Sequence, residues 1–309
     1  MSGKRVTIKG RFIALCCHAI ENARLLLNSD SVHPEGVGNA SGHVGRNFME
    51  HPHLFSSLFF PTSAFPVIYD RKFLAARGQN LNLSMTDDTL RRERLLHYYC
   101  RFNPVFVDQD ADDALSSLKG DPWRAGDMAF LQDVAEVVSG LGGIVRRAAM
   151  RRGFWNATAP VYRLEHRIEQ SPNPNSRIVL SDKRDRLGDR IADLDWQFSD
   201  HDVDTFERGQ RLIAKELAAL GMGRVALEPI DRSRVEAEAK GHYHPIGLTR
   251  MSDDLASGVV DRHCKVHGVD NLYIGGSSIF PTAGYSGPTM MIMGFALRLA
   301  DHLSERLNA

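Results

Sequence analysis

Residues 241–251, GHYHPIGLTRM, and residues 258–303, GVVDRHCKVHGVDNLYIGGSSIFPTAGYSGPTMMIMGFALRLADHL, decide how this chain is read. The second stretch ends in a helix signal. Pro288 has the fixed φ and missing N–H that suit a helix start. Ile292, Ala296, Leu299, Leu303 and Leu307 then recur on one face at three- and four-residue spacing. The pattern predicts a buried helix. Its first turn, at Pro288, Thr289 and Met290, presents free backbone N–H groups and the positive end of the helix dipole, which favour a nearby negative charge. The preceding GGSSIFPTAGYSG is built largely from small residues, so the backbone there can approach another molecule closely.

The order of these pieces resembles the C-terminal signature of the glucose-methanol-choline (GMC) flavin-dependent alcohol oxidoreductases. The resemblance rests on His244 three residues before Gly247, then Thr249-Arg250-Met251, Val259 to Asp261, VHGVDNLYI, and SSIFPT running into a Pro-initiated helix. It implies FAD as cofactor, with Gly276, Ser277, Gly287, Pro288, Thr289 and Met290 against the flavin. It also implies oxidation of a CH–OH group, with His244 as base and hydride passing to flavin N5. Several positions depart from the family, among them Leu248, where it usually has Thr, and Cys17 and His18, where it mostly has Ala or Gly. Gly287 stands where the family places a second active-site residue, His or Asn, and Gly276 stands where it often has Asp.

Composition sets outer limits. The chain has 309 residues, 43% hydrophobic and 25% charged, enough to bury one large core or two smaller ones. Lys plus Arg and Asp plus Glu both number 38, and no basic run interleaved with aromatics marks a nucleic-acid surface. No apolar run reaches the roughly eighteen residues that a membrane span needs. No signal-peptide core opens the chain, so it reads as cytoplasmic as given. The four cysteines have no CxxC spacing. The pairs His51-His53, His242-His244 and His263-His267 lack a third ligand of convincing spacing, so no metal is expected.

Along the chain, RVTIKGRFIAL reads as two short strands or one strand entering a buried parallel position, and HAIENARLLLNS as helix, similar to a family segment ending in RLLL. VGRNFMEHP, Val44 to Pro52, is similar to a family segment covering part of the cofactor. LFSSLFF, FPVIYD, VYRLEHRIEQ, RIVLSD and DLDWQF read as strands. DDTLRRERLLHYYCR and DMAFLQDVAEVVSGLGGIVRRAAMRR read as helices, as does DVDTFERGQRLIAKELAALG with Asp202 or Asp204 as N-cap. The expected fold is mixed α/β. Residues 1–53 and 241–309 form part of a Rossmann-like FAD-binding domain, and 54–240 form an inserted substrate domain with a mainly antiparallel sheet.

A G-x-G-x-x-G loop after a strand is missing from the sequence. The expectation is therefore the C-terminal part of a truncated or split GMC protein acting on a small-molecule alcohol or sugar. An upstream-encoded FAD-binding half would complete it. The alternative is a catalytically degenerate fragment serving as a non-enzymatic interaction subunit.

Overall fold

The structure, a computed structural model, describes residues 6–62, 82–105, 137 and 161–308. The expected strand FPVIYD, and all of the helix expected over 127–152 except Val137, lie outside the described residues.

Among the described residues the elements are β1 (Ile13–Leu15), α1 (Ala19–Asn28), β2 (His53–Pro61), β3 (Leu83–Ser84), α2 (Asp87–Glu93), β4 (Tyr98–Pro104), β5 (Tyr162–Ile168), β6 (Arg177–Arg184), β7 (Arg190–Asp195), α3 (Asp200–Ala219), β8 (Gly223–Ala226), α4 (Arg232–Glu238), β9 (Leu272–Ile274), a 3₁₀ turn (Ser277–Ile279) and α5 (Thr289–Asn308). Two bodies of apolar side chains organise them. The first gathers Ala19, Ala23 and Leu26 of α1 with Tyr273, Ile274, Ile279, Ile246, Leu248 and Val260. Here β1 and β9 pair in parallel, Ile13 opposite Leu272 and Leu15 opposite Ile274. Parallel pairing needs a long crossover, and nearly the whole chain supplies it.

The second body underlies a five-stranded sheet ordered β3-β4-β5-β2-β8. Its neighbours β4–β5, β2–β5 and β2–β8 are antiparallel. Phe206, Ile213 and Leu217 on one face of α3 pack with Tyr98, Phe102, Leu164 and Ile168 of the sheet. Trp196 touches both bodies, with its ring edge-on to Phe48 and 4.8 Å from Phe198. The hairpin β6–β7 forms a separate two-stranded sheet.

Three local readings of the sequence are corrected. The helix expected through Tyr99 stops at Glu93, because Arg94 takes a left-handed conformation (φ 54) and the aromatic run after it pairs as β4. The N-cap of α3 is Ser199, and Asp202 is instead the third helical residue of a capping box. The α5 helix is not buried. Leu299 is buried and Ile292, Phe295 and Leu303 pack against the core, but Met290, Met291, Met293 and Leu297 face solvent.

Asp202 does more than close the helix. Its carboxylate accepts from Ser199 N (2.7 Å), Ser171 N (2.8 Å) and Ser171 Oγ (2.8 Å) in a fully buried setting. Asp202→Ala strands those donors, so it is expected to lower stability by about 2–4 kcal/mol, read in a urea unfolding curve. A change below about 0.5 kcal/mol, the scale of an ordinary surface substitution, would refute this.

Candidate active site

The two diagnostic stretches of the sequence lie side by side. Gly247 N bonds Ser277 O, Thr249 N bonds Ser278 O and Met251 N bonds Ile279 O, at 3.3, 2.9 and 2.7 Å. Ser277 Oγ adds a bond to Pro245 O at 2.6 Å. The segment after His244 is thus laid along the 3₁₀ turn that follows β9. On its other side, Met49 and Ile246 exchange both backbone hydrogen bonds, and so do His53 and Lys240. Asn22 of α1 closes the arrangement, donating to Gly275 O and Ser278 Oγ.

Gly247 is required by this layering. Its φ is +94, and a Cβ there would stand 2.2 Å from Asn47 O. No side chain fits without moving backbone.

A buried carboxylate orders the histidines. Glu50 accepts from the backbone N–H of His51 (3.1 Å), His242 (3.1 Å) and His244 (2.7 Å). Glu50 N donates in turn to Gln170 Oε1, which also receives Trp196 Nε1. The sequence reading did not single out Glu50. Its only signal was its place beside His51 in VGRNFMEHP.

His244 is partly exposed, and its ring centroid lies 5.2 Å from that of His51 and 6.3 Å from that of His242. Burial, then the nearby His244 and Arg167, pushes His51 down to about 4. Burial, then Arg167 and His53, does the same to His242, also to about 4. Burial lowers His53 as well. These three rings are therefore neutral at neutral pH. His51 Nε2 lies 3.2 Å from Ala283 O, and so donates to it.

The remaining expected site residues sit around this cluster. A Cβ built on Gly287 would lie 3.8 Å from His244 Cε1 and meets nothing else within 4 Å, so position 287 does face the imidazole. Gly276 has φ +100 and open space where a Cβ would stand. Ser277 is buried with its hydroxyl committed to Pro245. Pro288 is buried and its carbonyl accepts the first helical bond, from Ile292 N at 2.9 Å, so α5 starts where the proline predicts. Thr289 and Met290, in its first turn, are exposed. Cys16 and Cys17, just past the carboxyl end of β1, are exposed too. Crevices outside the carboxyl ends of parallel strands are where such sheets take their ligands.

One juxtaposition was invisible in the sequence. His53 and His242 stack at 4.2 Å, and Glu165 of β5 stands beside them.

Residues 172–296 match the GMC oxidoreductase C-terminal family. Among curated proteins, 6'''-hydroxyparomomycin C oxidase of Streptomyces lividus is 26% identical over 313 aligned residues, covering 100% of this chain and 47% of the relative. The fructose dehydrogenase large subunit of Gluconobacter japonicus is 24% identical, covering 97% and 48%. The chain therefore spans about half the length of the curated relatives it matches. Among solved structures, a formate oxidase of Aspergillus oryzae studied for FAD modification aligns with a TM-score of 0.51 at 16% identity. That alignment covers 96% of this chain and 54% of that one, and supports the fold alone.

Proposed function

We propose that this chain, whose residues 172–296 match the GMC oxidoreductases, forms the substrate-facing part of an FAD-dependent enzyme oxidising a CH–OH group of a sugar or polyol to a carbonyl. The observation that carries the reading is the placement of His244. It stands beside Gly287 and the exposed start of α5, on a segment held through Glu50 and the 3₁₀ turn.

The residues present fit the ring end of FAD. Gly276 offers backbone with open space in front of it, and Gly287, Thr289 and Met290 are exposed at a helix start whose N–H groups favour developing negative charge. FAD, when bound, supplies the hydride acceptor. His244 then takes the hydroxyl proton as the carbinol hydrogen departs, a contribution of about 10²–10⁴-fold for a positioned general base. Glu50 fixes the backbone from which the imidazole projects. Gly287 offers no donor to the forming alkoxide, and the neutral His51 ring is the polar group left facing His244.

The phosphate end of FAD finds no loop in this sequence, so we assign that part to an upstream-encoded half. The two-stranded β1–β9 sheet, with Ile13 exposed at its edge, and the outward face of α5 support this. Met290 (79% exposed), Met293 (58%) and Leu297 (68%), at three- and four-residue spacing along one face of α5, make up an apolar surface of the kind that monomers seldom leave bare. We also propose the division into 1–53 and 241–309 on the cofactor side and 54–240 on the substrate side. Among the described residues no helix is long and apolar enough to cross a membrane.

Gly287 favours a second reading, a degenerate subunit that holds a partner without catalysis. One experiment separates the two. The chain is co-expressed with the product of the reading frame upstream of it, the assembly is desalted, and sugars are added without oxygen. Retained flavin absorbance that bleaches on adding a sugar is expected. Flavin that is retained but never bleaches favours the degenerate subunit, and an assembly without flavin overturns both assignments of a cofactor.

A further inference from the structure

We propose that His53, Glu165 and His242 form a binding site for a divalent cation of the zinc type, separate from the flavin-facing position of His244. The three residues come from distant parts of the chain: the first residue of β2, the middle of β5, and the loop leading to His244. One ligand atom from each lies within 4.8 Å of the others.

Two features make this more than proximity. His53 Nδ1 and His242 Nε2 are buried and have no hydrogen-bond partner among the described residues. An orphaned polar atom in a native interior calls for an explanation, and here two of them flank a buried carboxylate. Two imidazoles and one carboxylate also make a three-ligand zinc set that leaves a coordination position open.

The scaffold is already fixed. Lys240 and His53 exchange both backbone hydrogen bonds, at 2.9 and 3.0 Å, which locks the two histidine-bearing segments together. His242 N is held by Glu50. Glu165 sits in the central strand of the five-stranded sheet, paired with Arg167 and approached by Asn103 Nδ2 at 3.4 Å. These partners orient the carboxylate, as outer-shell groups do in metal sites. The Arg167 charge opposes a cation, so the carboxylate must serve both. The imidazoles now stack with 23° between planes, and convergence of their lone pairs requires one ring to turn about χ2, a broad and easily varied torsion.

A cation here would tie β2 and β5 to the segment carrying His244 two residues on. Its binding is read without flavin, so its failure and that of the oxidoreductase reading are distinguishable. The full chain is stripped with chelator, loaded with Zn²⁺ alone or Co²⁺ alone, and desalted. About one Zn²⁺ per chain is expected, with intense visible Co²⁺ bands of low coordination number. His242→Ala and Glu165→Gln are each expected to weaken Zn²⁺ binding at least tenfold, with circular dichroism confirming the fold. If Glu165→Gln fails to fold, His242→Ala, altered at a partly exposed loop position, decides alone. His263→Ala, which disrupts the separate His263–His302 stack, is expected to change nothing. Absence of retained metal overturns the proposal. So does Zn²⁺ that survives His242→Ala, or that is lost with His263→Ala.

Discussion

Replacing His244 by Ala in the flavin-loaded assembly is expected to slow substrate-driven bleaching by about 10²–10⁴-fold, the usual worth of a positioned general base. Flavin retention should be little changed, because Gly276 and the start of α5 remain. The measurement is single-turnover flavin reduction under saturating sugar. A rate within threefold of the parent's would remove His244 from the chemistry. The reciprocal change is Gly287→Asn. Since a Cβ there meets only the His244 ring, at ordinary contact distance, the side chain enters without strain and restores a donor next to the base. Such donors are worth about 10²-fold in rate, so the variant is expected to be faster than the natural chain.

Gly247→Ala carries the largest expected loss of stability. The new methyl would meet Asn47 O at 2.2 Å and Met49 Cε at 2.8 Å, at a backbone φ of +94 that L-residues avoid. Strain of about 1–3 kcal/mol from the backbone adds to the separation of the 47–49 and 246–248 segments. A total of about 4 kcal/mol or more is expected, in the range of severe single substitutions. Urea unfolding provides the readout, with Gly294→Ala as control. That position lies within α5 with nothing within 4 Å of its Cβ, and alanine there should add up to about 1 kcal/mol of stability. Equal midpoints for the two variants would mean that the 247 layer is not held as described.

How much of this was legible beforehand depended on the range of the interaction. Pro288 announces the start of α5 from its own covalent structure, and the GGSSIF run announces close backbone approach from the absence of side chains. Both signals are local, and the first matches the structure, where Pro288 O accepts the first helical bond. Periodicity in α5 is equally plain, yet it cannot say which neighbours are present. Ile292 and Leu299 find a core to pack on, whereas Leu297 and Met293 are left outside. The run DDTLRRERLLHYYCR misled for a related reason. Helical propensity persists to Tyr99, but β5 offers residues 98–104 a full antiparallel partner, and pairing outweighs propensity. Glu50 carried no signal beyond its place beside His51, and Glu165 carried none. The first acts through backbone N–H groups nearly two hundred residues away, and the second reaches His53 and His242 through the strand order of a sheet.

The parallel pairing of Ile13 with Leu272 also bears on how the molecule is made. Synthesis proceeds at about 5–20 residues per second, so β1 leaves the ribosome well before its partner exists and spends that interval without a neighbouring strand. The five-stranded sheet has shorter connections between some of its members, β3 with β4 among them, and can begin to order meanwhile. Loop closure over almost the entire chain comes last, and it is this step that brings Asn22 of α1 to Gly275 and Ser278 at the 3₁₀ turn. During biogenesis the seating of the 3₁₀ turn against α1 is therefore the final part to settle. A chain released a few dozen residues early would hold a formed sheet and a free β1, a species suited to capture by chaperones rather than to chemistry.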